Sequence, residues 1–251
     1  MQEFHLQSCT TPPAIHFDSI SLSFDGELLF SDFSATIGAG SCTCLLGPSG
    51  CGKSTLLKIV SGNPDLSYSG RVHFNGVENP GISWMAQSDL LLPWLSVQDN
   101  VLLGARLRSE ITPELHEMAG HLLDEAGLAD QGEKLPAELS GGMRQRVALL
   151  RTLLEDRPVI LMDEPFSALD AQTRLKLQNL AARLTRGKTV LMVTHDPMEA
   201  MRLGDKVMVL RGRPAGLVAS IEMDGATPRN PEDGQVQQGY VKLLKLLMEE
   251  I

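Results

Sequence analysis

The sequence predicts an α/β fold built on a largely parallel sheet, and three observations predict it. Short apolar runs of strand texture, SCTCLLG (41–47), PVILMDE (158–164) and KTVLMVTHD (188–196), alternate with helical stretches, KSTLLKIVSG, AQTRLKLQNLAARLTRG and PMEAMRLG, as βαβ units do. The opening stretch instead alternates at period two through AIHFDSISLSF and LLFSDFSATI, with the turn signal Asp25-Gly26 between them, which implies an antiparallel hairpin. The middle of the chain, 97–157, is helical in period and nearly free of strand-like runs.

Each element has a local reason. SCTCLLG reads as a buried strand that ends in a glycine-rich loop, and a helix follows from Lys53. Gly70 to Phe74 and Ile82 to Ala86 give two more short strands. In ELHEMAGHLLDEAGL, Leu115, Met118, Leu122 and Ala126 fall on one helical face. Ser140, Gly141 and Gly142 stand where another helix should begin, with an apolar stripe through Val147, Leu150 and Leu154. Asp196 is a good N-cap, with Pro197 at the first helical position. VMVLRG is the closing strand, ATPRNPEDGQ a linker and YVKLLKLLMEEI a short terminal helix. That helix has no basic face, so its apolar positions are expected to dock on the domain rather than on a membrane. No internal repeat is evident.

Bulk properties bound the function. The chain has 251 residues, 43% of them apolar, enough for one large domain or a domain with a subdomain. A net charge of −9 argues against a general nucleic-acid binder, which carries a basic excess. No apolar run approaches the roughly 18 residues of a membrane span, and MQEFHLQSCTTPPA does not read as a secretory signal. The four cysteines, Cys9, Cys42, Cys44 and Cys51, suggest neither a disulfide framework nor a metal site, so a reducing compartment is expected. Cys42 and Cys44 read as strand positions facing one side.

GPSGCGKST, Gly47 to Thr55, matches G-x-x-x-x-G-K-[S/T] between a predicted strand and a predicted helix. Its glycines let backbone N–H groups curl around a β-phosphate. Lys53 can reach the β- and γ-oxygens, and the Ser54 hydroxyl can ligate Mg²⁺. In PVILMDEP, Asp163 ends a buried strand where it can hold the metal through water. Glu164 is then free to activate a water against the γ-phosphate. Adjacent carboxylates repel, so a packing role for the pair is disfavoured over hydrolysis of a nucleotide. His195 and Gln87 each end a strand-like run. A structural histidine and a solvated glutamine are the plain readings, but the His195 strand follows the carboxylate strand and should border the same crevice. The Ser140 turn is a second anion site, with free N–H groups at a positive helix end.

The ordered set GPSGCGKST, Gln87, LSGGMRQRV, VILMDEP, SALD and His195 resembles the nucleotide-binding subunits of ATP-binding cassette (ABC) transporters over about residues 14–225. The resemblance implies a P-loop NTPase cassette: a RecA-like parallel-sheet core, an antiparallel β subdomain and a helical subdomain inserted over about 88–157. It implies an ABC domain over 14–230, after an N-terminal tail (1–13) and before a C-terminal linker and helix (231–251). The separation of Lys53 from Ser140 fits such an insertion, and no heptad array is present to suggest the coiled-coil relatives of chromosome and DNA-repair function.

In that family two cassettes pack head to tail. Ser140, Gly141 and Gly142 of one chain would then cap ATP held by Gly47, Pro48, Ser49, Gly50, Cys51, Gly52, Lys53, Ser54 and Thr55 of the other. The resemblance assigns catalysis to Glu164, His195, Lys53 and Gln87, and Mg²⁺ to Ser54, Gln87 and Asp163. Phe24, where the family often carries tyrosine, would stack on adenine, and Asp170 in SALD would report across the dimer. Met143 replaces a common glutamine after LSGG. The implied partners are a second ATPase subunit, a transmembrane permease and, indirectly, a periplasmic or lipoprotein binding protein, at the cytoplasmic face of the inner membrane.

QSDLLLPWLSVQDNVLLG is the expected docking surface for the permease, Trp94 being either interface or core. LLPWLSVQDNV, the signature and the PRN-plus-helix tail resemble the nitrate/sulfonate/taurine importers, a group that includes carriers of thiamine-precursor pyrimidines. A substrate-sensing C-terminal domain is not expected. A soluble ABC protein of translation or DNA metabolism is disfavoured by the acidity and the single cassette, and a non-hydrolytic module by intact Lys53, Glu164 and His195.

Overall fold

The computed structural model describes residues 12–248. The anticipated 1–13 tail, apart from Pro12 and Pro13, lies outside them, as do Cys9 and the last three residues of the terminal helix. Two sheets form. β1 (Ile15–Phe24), β2 (Glu27–Ile37) and β4 (Ser69–Phe74) make an antiparallel sheet ordered β2-β1-β4. The second sheet adds β3 (Cys42–Leu46), β5 (Ile82–Met85), β6 (Val159–Asp163), β7 (Thr189–Val193), β8 (Lys206–Arg211) and β9 (Gly216–Glu222) in the order β5-β6-β7-β3-β8-β9. It is parallel from β5 to β8, with β9 antiparallel at its edge.

The core strands are mostly apolar because both faces are covered. Leu45, Leu161, Leu191, Val193, Met208 and Leu210 face helix α1 (Lys53–Val60) and the antiparallel sheet. Cys44, Leu46, Ile160, Met162, Val190, Met192, Val207 and Val209 face the other way, into the cluster shared by all but one of the remaining helices, as the two-residue strand period requires. The remaining helices are α2 (Val97–Val101), α3 (Leu103–Leu107), α4 (Pro113–Glu125), α5 (Gly141–Leu154), α6 (Ala171–Leu184), α7 (Pro197–Leu203) and α8 (Gly234–Met248), and α3 is the one outside that cluster. Cys44 is fully buried and Cys42 half-buried against the same cluster. A hydrogen bond with Cys42, and then burial, push the Cys44 thiol well above its ordinary range.

Three expectations change. VMVLRG does not close the sheet, because β9 follows it. The GLVASIE strand leaves Leu217 and Val218 exposed at the sheet edge, so its sequence lacks a buried face to announce it. The terminal helix begins at Gly234 rather than Tyr240, and Val236 and Leu243 dock it on the body. The linker hides an anchor, for Arg229 is only 5% exposed. Its guanidinium donates to the carbonyls of Met201 and Gly204 at the end of α7 and to those of Met223, Asp224 and Gly225.

Candidate functional site

Three adjacent strands, β6, β7 and β3, deliver the predicted residues to one end of the sheet. β3 runs into the 47–55 loop, β6 ends at Asp163 and Glu164, and β7 leads through Thr194 to His195. Thr194 N–H donates to Leu45 O at 3.2 Å and Glu164 N–H to Val193 O at 2.9 Å, so the three exits are laced together by backbone bonds.

The loop is wound as a cradle. Gly47 and Gly52 sit at φ +154° and +94°; a Cβ at Gly47 would lie 2.4 Å from Leu210 O, and one at Gly52 would lie 2.5 Å from the Phe30 ring. Only glycine fits both places. Lys53 is 8% exposed, and its ammonium curls back to the carbonyls of Gly47 and Pro48 at 2.8 and 2.9 Å. Pro48, Ser49 and Gly50 are exposed at the mouth, while Cys51 is buried behind it. That burial raises the Cys51 thiol, with the neighbouring Lys53 charge pulling it the other way. Thr55 is half-buried in the first turn of α1.

Asp163 is buried, and burial pushes its carboxyl up. A hydrogen bond from Ser54 opposes that shift, the Glu164 charge adds to it, and Lys53 counters it. A hydroxyl already paired with a buried carboxylate is the donor set that a hard divalent cation uses, so these residues fit Mg²⁺. Glu164 is a non-glycine residue at φ +50°, and its Oε2 lies 3.3 Å from His195 Nδ1. The His195 ring is mostly exposed and the Glu164 carboxylate mostly covered. Gln87 is exposed two residues beyond β5, the strand next to β6. Phe24 ends β1 with 49% exposure. Just beyond its turn, Glu27 meets Arg213 at 3.8 Å, and the Arg213 guanidinium would lie 3.9 Å from a Cβ placed at Gly50.

The second anion site stands apart. Ser140 caps α5, accepting from Met143 N–H at 3.3 Å, and is exposed together with Gly141. Among the described residues no hydrogen bond joins this turn to the 47–55 loop. Gly142 instead packs on the SALD segment, where a Cβ would lie 3.0 Å from Ala168 O. Asp170 is exposed and caps α6 through Thr173 N–H at 3.0 Å. Hydrogen bonding from Thr173 holds its carboxyl below the usual range.

Sequence reasoning missed three residues of α5. Arg144 pairs with Asp89 at 3.0 Å. Arg151 donates to the carbonyls of Asp89 and Leu90 at 2.7 and 2.8 Å. Gln145 is buried between α5 and the Glu164 loop. A buried glutamine on an otherwise apolar helix face was the available signal.

A phosphate cradle, a strand-end carboxylate pair and a neighbouring histidine on a parallel sheet define a P-loop ATPase. The chain belongs to the ABC transporter family, whose profile matches residues 30–167, and it is an ATP-binding, ATP-hydrolysing subunit of that family. The Delftia acidovorans protein named aliphatic sulfonates import ATP-binding protein SsuB is 40% identical over 93% of this chain and 94% of its own length. The taurine import ATP-binding protein TauB of Jannaschia sp. (strain CCS1) is 38% identical over 93% of this chain and 94% of its own. Among solved structures, a dimeric ATP-binding cassette in a post-hydrolysis state with ADP and Pi is similar with a TM-score of 0.75 and 27% identity, over 84% of this chain and 99% of that one. Among the described residues no helix is long and apolar enough to cross a membrane.

Proposed function

We propose that this chain is the energy-coupling ATPase of a bacterial importer for small sulfonate- or taurine-type solutes, acting as a pair of identical copies on a membrane permease. One observation carries the reading. Asp163, Glu164, His195 and the 47–55 loop share one sheet end, while the Ser140 helix start, a second candidate anion site, makes no hydrogen bond to the 47–55 loop among the described residues of its own chain. Two copies packed head to tail give each triphosphate both halves of its surroundings. The dimeric cassette relative supports that assembly.

In each site the 47–55 N–H groups and Lys53 hold the β- and γ-phosphates, Phe24 covers the base, and Glu164 takes a proton from the attacking water. His195, held against Glu164, faces the γ-phosphate. The partner's Ser140 turn adds N–H groups where charge develops. Asp163, Ser54 and Gln87 would hold Mg²⁺, which supplies charge neutralisation on the phosphate oxygens when bound. Loss of the bridging γ-phosphate then opens the dimer.

The permease reads that motion through a groove of about 400 Å³ between β5, α3 and α5, lined by Trp84, Leu103, Leu107, Arg108, Arg151 and Glu155. Leu107 in its lining is exposed; Leu90 and Trp94 are exposed as well, Trp94 by 71%, which favours interface over core for Trp94. Arg151 joins the groove to the carbonyls just after Gln87. The groove fits a short amphipathic helix of the permease, on the cytoplasmic side where ATP is found. The similarity to SsuB and TauB proteins supports the solute class. Glu164→Gln should accumulate an ATP-bound dimer on size-exclusion chromatography while slowing hydrolysis by orders of magnitude; normal turnover, or a monomer at saturating ATP, contradicts the reading.

A further inference from the structure

Gln145, 6% exposed, lies just over one turn into α5, the helix that begins at Ser140. Its amide nitrogen donates to the Glu164 carbonyl at 3.0 Å and to Ser167 Oγ at 3.2 Å, and its amide oxygen accepts from Ala168 N–H at 2.8 Å. One buried amide therefore closes both ends of the segment between the carboxylate pair and Asp170. The same Glu164 carbonyl also accepts from Ser167 N–H and Oγ at 3.3 and 3.1 Å.

Glu164 needs that support. At φ +50° it occupies the left-handed region, which is unfavourable for a non-glycine residue and persists only where neighbours over-determine it. Its N–H is fixed to β7 through Val193 O, so the carbonyl is the remaining handle on the peptide that aims the side chain. If the carbonyl turns away, the carboxylate loses the direction that places Oε2 at His195.

We propose that Gln145 is a positioning residue for ATP hydrolysis, holding the Glu164 backbone in its left-handed conformation from the helix whose tip carries Ser140. This rests on the reading of Glu164 as the group that activates water. Because α5 is continuous from the Ser140 cap to Gln145, a tilt of the helix tip reaches the Glu164 carbonyl through a single amide.

The test is steady-state hydrolysis by Gln145→Met, which keeps the side-chain volume and removes both hydrogen-bonding ends, beside Glu164→Gln. The expected result is a fall in kcat on the order of 10- to 100-fold, the scale of a misplaced catalytic group, with the Kd for a fluorescent ATP analogue unchanged. Gln145→Glu serves as the second variant if the first fails to fold. It keeps an acceptor for Ala168 N–H but aims a carboxylate at the Glu164 carbonyl, and should lose kcat with the same unchanged Kd. A normal kcat in either folded variant, or a rate loss matched by an equal loss of nucleotide-binding sites, overturns the proposal. Full activity in Glu164→Gln overturns instead the reading beneath it.

Discussion

His195 Nδ1 and Glu164 Oε2 meet at 3.3 Å across the ends of two neighbouring strands, β7 and β6. The contact joins a mostly exposed ring to a mostly covered carboxylate, so the histidine can turn toward a bound phosphate while the glutamate stays in place. His195→Ala should therefore lower kcat on the order of 100-fold, within the range for a positioned proton-transfer partner, with ATP affinity kept. Combining it with Glu164→Gln should cost little more than Glu164→Gln alone, since the two act as a unit. Additive losses measured by single-turnover hydrolysis would separate them.

A second prediction concerns Glu199. Its carboxyl is pushed up to about 8, first by burial and then by the Asp196 charge, with Arg174 and a Thr194 hydrogen bond pulling it down and Glu164 adding a smaller upward push. Arg202 lies on the same helix, where burial lowers its guanidinium from the ordinary value and the Glu199 charge opposes that shift. Among the described residues one Glu199 oxygen has no hydrogen-bond partner. A carboxyl that is neutral when folded and ionised when unfolded favours the native state at low pH. Its contribution is full below the unfolded value near 4.5 and is lost as pH rises toward 8, by about 1.4 kcal/mol per unit. Glu199→Gln should therefore gain Tm relative to the unaltered protein between pH 5 and pH 8. Parallel Tm curves would contradict this.

Arg229 makes a third prediction. It satisfies the last carbonyls of α7 with a cation, the favourable sense for a helix C-terminus, and lies 3.9 Å from Asp205. Arg229→Met would leave several buried carbonyls and Asp205 without it, a loss of about 3–5 kcal/mol, or roughly 10 °C in Tm for a chain of this size. Thermal unfolding within a degree or two of the unaltered protein would show that the anchor is dispensable.

The site was legible where chemistry repeats a residue pattern, and illegible where it depends on packing. Gly47 to Thr55 announces itself because only glycine fits two of its positions and because a strand and a helix flank it. Asp163, Glu164 and His195 follow from apolar runs that stop at polar residues. Gln145 could not be paired with Glu164, because their contact joins helix to loop and leaves no periodic trace. Arg229 sits in a stretch whose proline and acidic residues read as linker, and β9 lacks the buried alternation that marks a strand. Trp94 was ambiguous since a tryptophan serves core and interface equally well; its exposure followed only from the fold.

The claim that each ATP is served by two chains has a direct measurement. Ser140→Arg carries a sound phosphate cradle and a ruined helix tip, and Lys53→Ala carries the reverse. Each alone should hydrolyse ATP negligibly, and mixing the two purified proteins should restore part of the activity, since a mixed dimer contains one complete site. Mixtures that stay as inactive as their components, or a Ser140→Arg protein that turns over ATP normally on its own, would contradict the account.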